Sequence, residues 1–67
     1  MKQMLKILGV EYITEKEAAE RYGFSKSWFQ KRRYLRLYPN YVKIHGKVLY
    51  DIKNTDNWFR QQIQLSQ

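Results

Sequence analysis

ITEKEAAERYGFSKSWFQ, residues 13–30, decides how the chain is read. Thr14 stands three residues before Glu17, the spacing of a capping box. In that motif the Thr hydroxyl accepts from the Glu17 backbone N–H, and the Glu17 side chain reaches back to the cap. Ala18, Ala19 and Tyr22 then share one helical face, with Ile13 before the cap as a staple residue. The pattern predicts a short helix over about 15–22, stopped by Gly23 in a left-handed C-cap. Ser25 is a good N-cap and restarts the chain at once, predicting a second helix from Lys26 to about Tyr34 or Leu35. A turn this short does not allow antiparallel packing, so the pair reads as helix-turn-helix.

Downstream the period changes. Pro39 and Asn40 break the helix. Tyr41, Val42 and Ile44, then Val48, Leu49 and Tyr50, form two β-rich runs around His45-Gly46, a hairpin turn in which Gly46 takes positive φ. Asp51 caps a last helix, with Ile52, Thr55, Trp58, Phe59 and Ile63 on one face. Trp58 and Phe59 read as core, and Asp56 as a helix-surface acid. Residues 1–11, which include Met4, Leu5, Ile7, Leu8 and Val10, read as an N-terminal extension, either a short helix or a loosely packed segment. No repeat and no low-complexity tract is read. The expected fold is mainly α with a small β-hairpin wing, a winged helix-turn-helix domain over residues 12–67.

Composition bounds the chemistry. A chain of 67 residues is one domain. With no cysteine it has neither disulfides nor a thiolate metal site, so its core rests on aliphatic side chains and 11 aromatic ones. No run approaches the roughly 20 apolar residues of a membrane span. The opening MKQMLKILGV is interrupted by Lys6 and lacks a signal-peptide cleavage pattern, so a cytoplasmic protein is expected. The net charge of +7 is unevenly placed: residues 21–50 hold eight basic residues and no acid, and the rest hold five basic and six acidic ones. Sign-pure clustering of this kind points to a polyanion, most often nucleic acid. The bland alternative is a basic surface kept for solubility, which usually mixes signs.

From about residue 12 to 60 the sequence resembles the excisionase-like and MerR-like DNA-binding domains of phages and mobile genetic elements. YITEKEAAERYGFSKSWF is similar to that family's cap, "EAA" helix and Gly-apolar-Ser turn. YPNYVKIHGKVLYDIKNTDNWF is similar to its Pro, wing and Tyr…Trp closing helix. The resemblance implies a winged helix-turn-helix fold and a DNA partner, serving recombination, transcription regulation or replication. Two positions depart from the family pattern: Trp28 stands where a small or polar residue is usual, and Arg32 where an apolar one is usual.

Phe29 is expected to face inward, leaving Ser25, Lys26, Ser27, Gln30 and Lys31 outward. Ser25, Ser27 and the helix N-terminus can donate to phosphate. Gln30 can pair with adenine, and Lys31 or Arg33 can donate to guanine. Lys26, Arg36 and Lys43 suit phosphate neutralisation, and Lys47 at the wing tip suits the adjacent minor groove or backbone. Trp28 has two readings: a platform on which an unpaired base stacks, or a ring turned sideways over Leu35 or Tyr41 as core. Arg32 is expected to pack its stem and free its head.

No Ser/His/Asp grouping, phosphate-cradling Gly loop or paired carboxylate is present in the sequence, so a non-enzymatic protein without cofactor is expected. His45 has no Cys or clustered carboxylate beside it, which argues against a metal. The leading expectation is a DNA-binding protein of excisionase or regulator type, favouring duplex and acting as a homodimer or with a larger partner. Alternatives are a single-stranded-DNA-binding accessory subunit, suggested by Trp28, Tyr34, Tyr38 and Tyr41, and a protein-interaction module.

Overall fold

The computed structural model describes residues 5–66. Two hairpins form one antiparallel sheet; the first and third of three helices pack on it, and the second packs on the first. The order is β1 (Leu5–Ile7), β2 (Val10–Thr14), α1 (Glu15–Tyr22), α2 (Lys26–Tyr34), β3 (Val42–Ile44), β4 (Lys47–Asp51) and α3 (Ile52–Leu65). The sheet runs β1-β2-β4-β3. This corrects the expectation of a mainly α winged helix-turn-helix with one small wing: the β3–β4 hairpin is half of a four-stranded sheet, and the sheet-first order ββααββα is an α+β arrangement. The reading of residues 1–11 as a helix fails over its described part, because Leu5–Ile7 and Val10–Thr14 are strands. Residues 1–4 lie outside the described residues.

The missed hairpin turns at Leu8-Gly9, where φ is 51° and 81°. Positive φ at both central residues is a type I′ turn, whose twist matches that of the strands it joins. His45-Gly46 makes the same turn, with φ of 48° and 78°. The likeness extends further. Adding 37 to the β1–β2 register, Leu5↔Tyr12, Lys6↔Glu11 and Ile7↔Val10, reproduces Val42↔Leu49, Lys43↔Val48 and Ile44↔Lys47. The same shift carries the cap Thr14 to Asp51 and the start of α1 to that of α3. β2 and β4 meet with Ile13 opposite Tyr50, flanked by Tyr12↔Asp51 and Thr14↔Leu49. The chain is thus two ββα units about a pseudo-twofold axis at Ile13/Tyr50, with α2 inserted between them. The two units share geometry and not sequence: only Lys, Ile and Gly coincide over Lys6–Gly9 and Lys43–Gly46.

The local elements form as their sequence dictates. Thr14 accepts from the Glu17 N–H at 3.2 Å, and the Glu17 carboxylate accepts from the Thr14 N–H at 2.9 Å, completing the capping box. Gly23, at φ 76°, closes α1 by donating to the Ala19 carbonyl. Alternation puts Ile13, Val48 and Tyr50 on the helix-facing side of the sheet. They form the core with Ala18, Phe29 and Ile52, and Phe29 and Ala18 are fully buried. Leu49 is buried on the other face, apart from that cluster.

Leu8 is the anomaly of the fold. It is 98% exposed and holds a left-handed conformation that Asn adopts far more readily. Leu8→Asn should therefore stabilise the chain by about 1 kcal/mol, a rise of roughly 4–8 °C in Tm for a domain of this size. Thermal melts of the two proteins check this; an unchanged or lower Tm would mean that Leu8 packs against something in solution.

Candidate nucleic-acid interface

Ser25 launches α2 as expected, its hydroxyl oxygen accepting from the Trp28 N–H at 3.1 Å. With Phe29 pinned in the core, helical spacing fixes what else α2 shows. Ser27, Gln30, Lys31 and Tyr34 fall at i, i+3, i+4 and i+7 and make one exposed ridge, with Lys26 exposed at its start. Tyr34 is 85% exposed. The helix ends without Gly or Asn. Arg36 takes the left-handed position at φ 60°, and the N–H groups of Arg36 and Leu37 return to the carbonyls of Arg33 and Arg32. This Schellman arrangement leaves the Arg36 side chain in solvent.

Arg33 does not join the ridge. Its Nε donates to Glu15 Oε2 at 3.1 Å and its terminal nitrogen to Oε1 at 3.3 Å, while the Tyr50 hydroxyl donates to Oε2 at 3.1 Å. Glu15 is only 7% exposed. Arg33, expected to read guanine, is instead the counter-ion of a buried carboxylate, and that hydrogen bond raises its pKa. Burial first, and the Glu15 charge second, push the Tyr50 phenol well above its ordinary value.

Trp28 also turns away from the ridge. It is half-buried, stacked on Phe24 at 4.4 Å between ring centroids and edge-on to Phe29 at 4.9 Å. Its ring neighbours are Phe24, Phe29 and Phe59, and the expected Tyr41 is not among them. The Arg32 guanidinium is not free either. It lies over Trp28 at 4.9 Å and over Trp58 at 5.4 Å, and donates to the Tyr38 carbonyl.

The β3–β4 hairpin sits beside the end of α2. Tyr41, just before β3, places its ring 5.8 Å from the Arg33 guanidinium and 6.5 Å from the Tyr50 ring. Lys43, opposite Val48, extends from the helix-facing side of the sheet; Lys47, opposite Ile44, extends from the other side at the tip. Both are exposed. The structure therefore brings Lys26, Ser27, Gln30 and Lys31 onto one helix surface, with Ser25 at its start and Arg36 at its end. It sets Lys43 on the neighbouring strand, splits Lys47 to the other sheet face, and withdraws Arg33 and Trp28.

Four of the six acids, Glu15, Glu17, Asp51 and Asp56, are spent elsewhere. Asp56, expected on the helix surface, is half-buried: it accepts from Arg21 at 3.0 and 2.7 Å and from the Tyr22 hydroxyl at 2.6 Å. The Arg21 hydrogen bond is the main cause holding its carboxyl below the usual range. Glu17 and Asp51 are caps. Lys26, Lys31, Arg36, Lys43 and Lys47 have no ion pair with any described residue.

Compared with family models, curated proteins and solved structures, the chain matches none. Its reading rests on its own geometry. Among the described residues no group of three or more His, Cys, Asp or Glu side chains could hold a metal ion, and no helix is long and apolar enough to cross a membrane.

Sequence reasoning missed the Glu15–Arg33–Tyr50 triad because each member had a sufficient local role: an acid in a first turn, a cation in a basic run, an aromatic in a strand. Arg33→Ala should cost about 1–3 kcal/mol, the penalty of stripping a partner from a buried acceptor, whereas Lys31→Ala should leave the melting temperature unchanged. Calorimetry of both variants checks the assignment. Asp56 supplies a pH dependence. Its folded pKa lies below the unfolded value, so its contribution is present above the unfolded pKa, near 4, and is lost as pH falls through the folded one. Asp56→Asn should be less stable than the parent at pH 7 and should lose less stability between pH 5 and 2; equal acid sensitivity in urea titrations would remove Asp56 from the account.

Proposed function

We propose that the chain binds duplex DNA through the exposed ridge of α2 and the adjoining β3–β4 hairpin, as a non-enzymatic factor of the excisionase or small-regulator kind that residues 12–60 resemble. One observation carries the reading: Glu17 and Asp51 act as caps and Glu15 and Asp56 as counter-ions of Arg33 and Arg21, so Lys26, Lys31, Arg36, Lys43 and Lys47 are left without an ion pair among the described residues. The ridge between them is polar, convex and one helix wide, which suits a major groove. On this reading Gln30 and Lys31 contact base edges. Ser25, Ser27, Lys26, Arg36 and Lys43 hold phosphates, and Lys47 touches the backbone beyond the hairpin tip. A single module of this size buries roughly 600–1,000 Å² on DNA, little for a specific site, so a second copy or a larger protein is expected to act with it.

A second reading draws on the connection between α2 and β3. Tyr34, Tyr38 and Tyr41 are all exposed there, at 85%, 54% and 40%, around Arg36. Such rings could stack unpaired bases. Trp28 no longer supports that reading, since its ring is engaged with Phe24 and Arg32.

Fluorescence anisotropy separates the two. With five unpaired cations neutralising phosphates, the log–log salt slope on a duplex of about 20 base pairs should be near −4.5, and Lys31→Ala with Lys43→Ala should flatten it by about 1.8 without changing Tm. An unaltered slope would rule out this surface. Tighter binding to single-stranded dT of equal length, lost on Tyr34→Ala, would select the second reading.

A further inference from the structure

On the side of α2 turned away from the ridge, the aromatic residues form an open groove. Helices α2 and α3 keep their Cα atoms more than 8 Å apart, and side chains bridge the gap. Phe59 of α3 lies 5.8 Å from Phe24 and 6.2 Å from Trp28, and stacks on Tyr22 at 4.3 Å. These rings floor a groove of about 490 Å³ that runs to Ile63. Phe24 is 43% exposed and Ile63 57% exposed. From Arg60 to Leu65 α3 has no buried residue, so its last turns border the groove without burying a face of their own.

The charge around the groove has one sign. Arg32 lines the groove and no acid does; in the hollow that adjoins it across Tyr22, Phe59 and Ile63, Arg60 is present and the one acid, Asp56, is already held by Arg21 and Tyr22. We propose that this groove receives a helix from a partner protein, one whose apolar face is edged by carboxylates. Ile63, Phe59, Phe24 and Trp28 would meet the apolar stripe, as grooves do that take up amphipathic helices, and Arg32 and Arg60 the acids beside it. A second copy of this chain fits less well, because each carries a net +7. Stacked bases also fit less well. Phe24, Trp28, Tyr22 and Phe59 each have a ring face taken up by a neighbour, and Ile63 offers no π surface. The groove and the cation ridge occupy different faces of α2, so the chain can hold nucleic acid and a larger acidic protein together. This proposal does not depend on the DNA reading.

The test uses the full chain and a synthetic helical peptide of about 18 residues, with Leu at i, i+3, i+4 and i+7 and Glu elsewhere; its counterpart carries Lys in place of Glu. Two-dimensional 1H–15N NMR follows the indole N–H signals of Trp28 and Trp58. The Glu peptide should shift both and the Lys peptide neither. Ile63→Glu, a change at an exposed position, should weaken binding about tenfold while leaving Tm and duplex-DNA affinity unaltered. Four results would overturn the proposal: no shift with the Glu peptide; equal shifts with both peptides; displacement of the Glu peptide by single-stranded dT; or sedimentation of the free chain as a dimer that Ile63→Glu dissolves. Loss of DNA binding in the Lys31 and Lys43 variants with peptide binding intact would separate the two surfaces.

Discussion

Glu15 is a charged side chain held almost out of water, and the arrangement of the domain follows from where its partners must stand. It opens α1, yet its oxygens are met by Arg33 from the last turn of α2 and by the Tyr50 hydroxyl from the centre of the sheet. A buried carboxylate is tolerated only when it is paired and hydrogen-bonded. Satisfying this one ties α1, α2 and β4 together at a single point. Phe29 and Ala18 fill the space beside it, so the polar triad orients α2 while apolar contact stabilises it. Through Arg33 the same point draws Tyr41, and with it the start of β3, against the end of α2.

The sheet gives this junction a rigid base. Each hairpin is short, with edge strands of three residues, and a lone hairpin of that length is marginal in water. Pairing β2 with β4 about Ile13 and Tyr50 makes four strands from two hairpins, and α1 and α3 leave the sheet at related positions. Between the two units stands α2. All the residues of the proposed ridge lie on that inserted helix. Lys26 and Lys31 are exposed on that helix and Arg36 just beyond it, while Lys43 and Lys47 extend from opposite faces of the second hairpin.

How much of this was legible depends on the range of the forces involved. The caps at Thr14, Ser25 and Asp51 and the left-handed Gly23 were readable, because a cap is decided by the residue and its next three neighbours. The inward direction of Phe29 followed from spacing alone. The Leu8-Gly9 turn was locally encoded but carried a weak signal, since leucine is a poor choice for positive φ and the surrounding Ile7, Leu8 and Val10 read equally well as helix. The left-handed Arg36 gave no signal at all; the chain adopts it because the carbonyls of Arg32 and Arg33 need donors at the end of α2.

The three helices and the second hairpin were legible in contacts within a few residues, and the uneven charge in composition alone. Tertiary structure alone decided that two hairpins close into one sheet and that Arg33 and Arg21 neutralise Glu15 and Asp56 rather than a ligand. It also decided that Trp28 lies over a groove instead of on the ridge. The reason is physical: a cation or an indole has the same local preferences wherever it stands, and only the distant partner that folding brings to it fixes whether it is spent inside or left for another molecule.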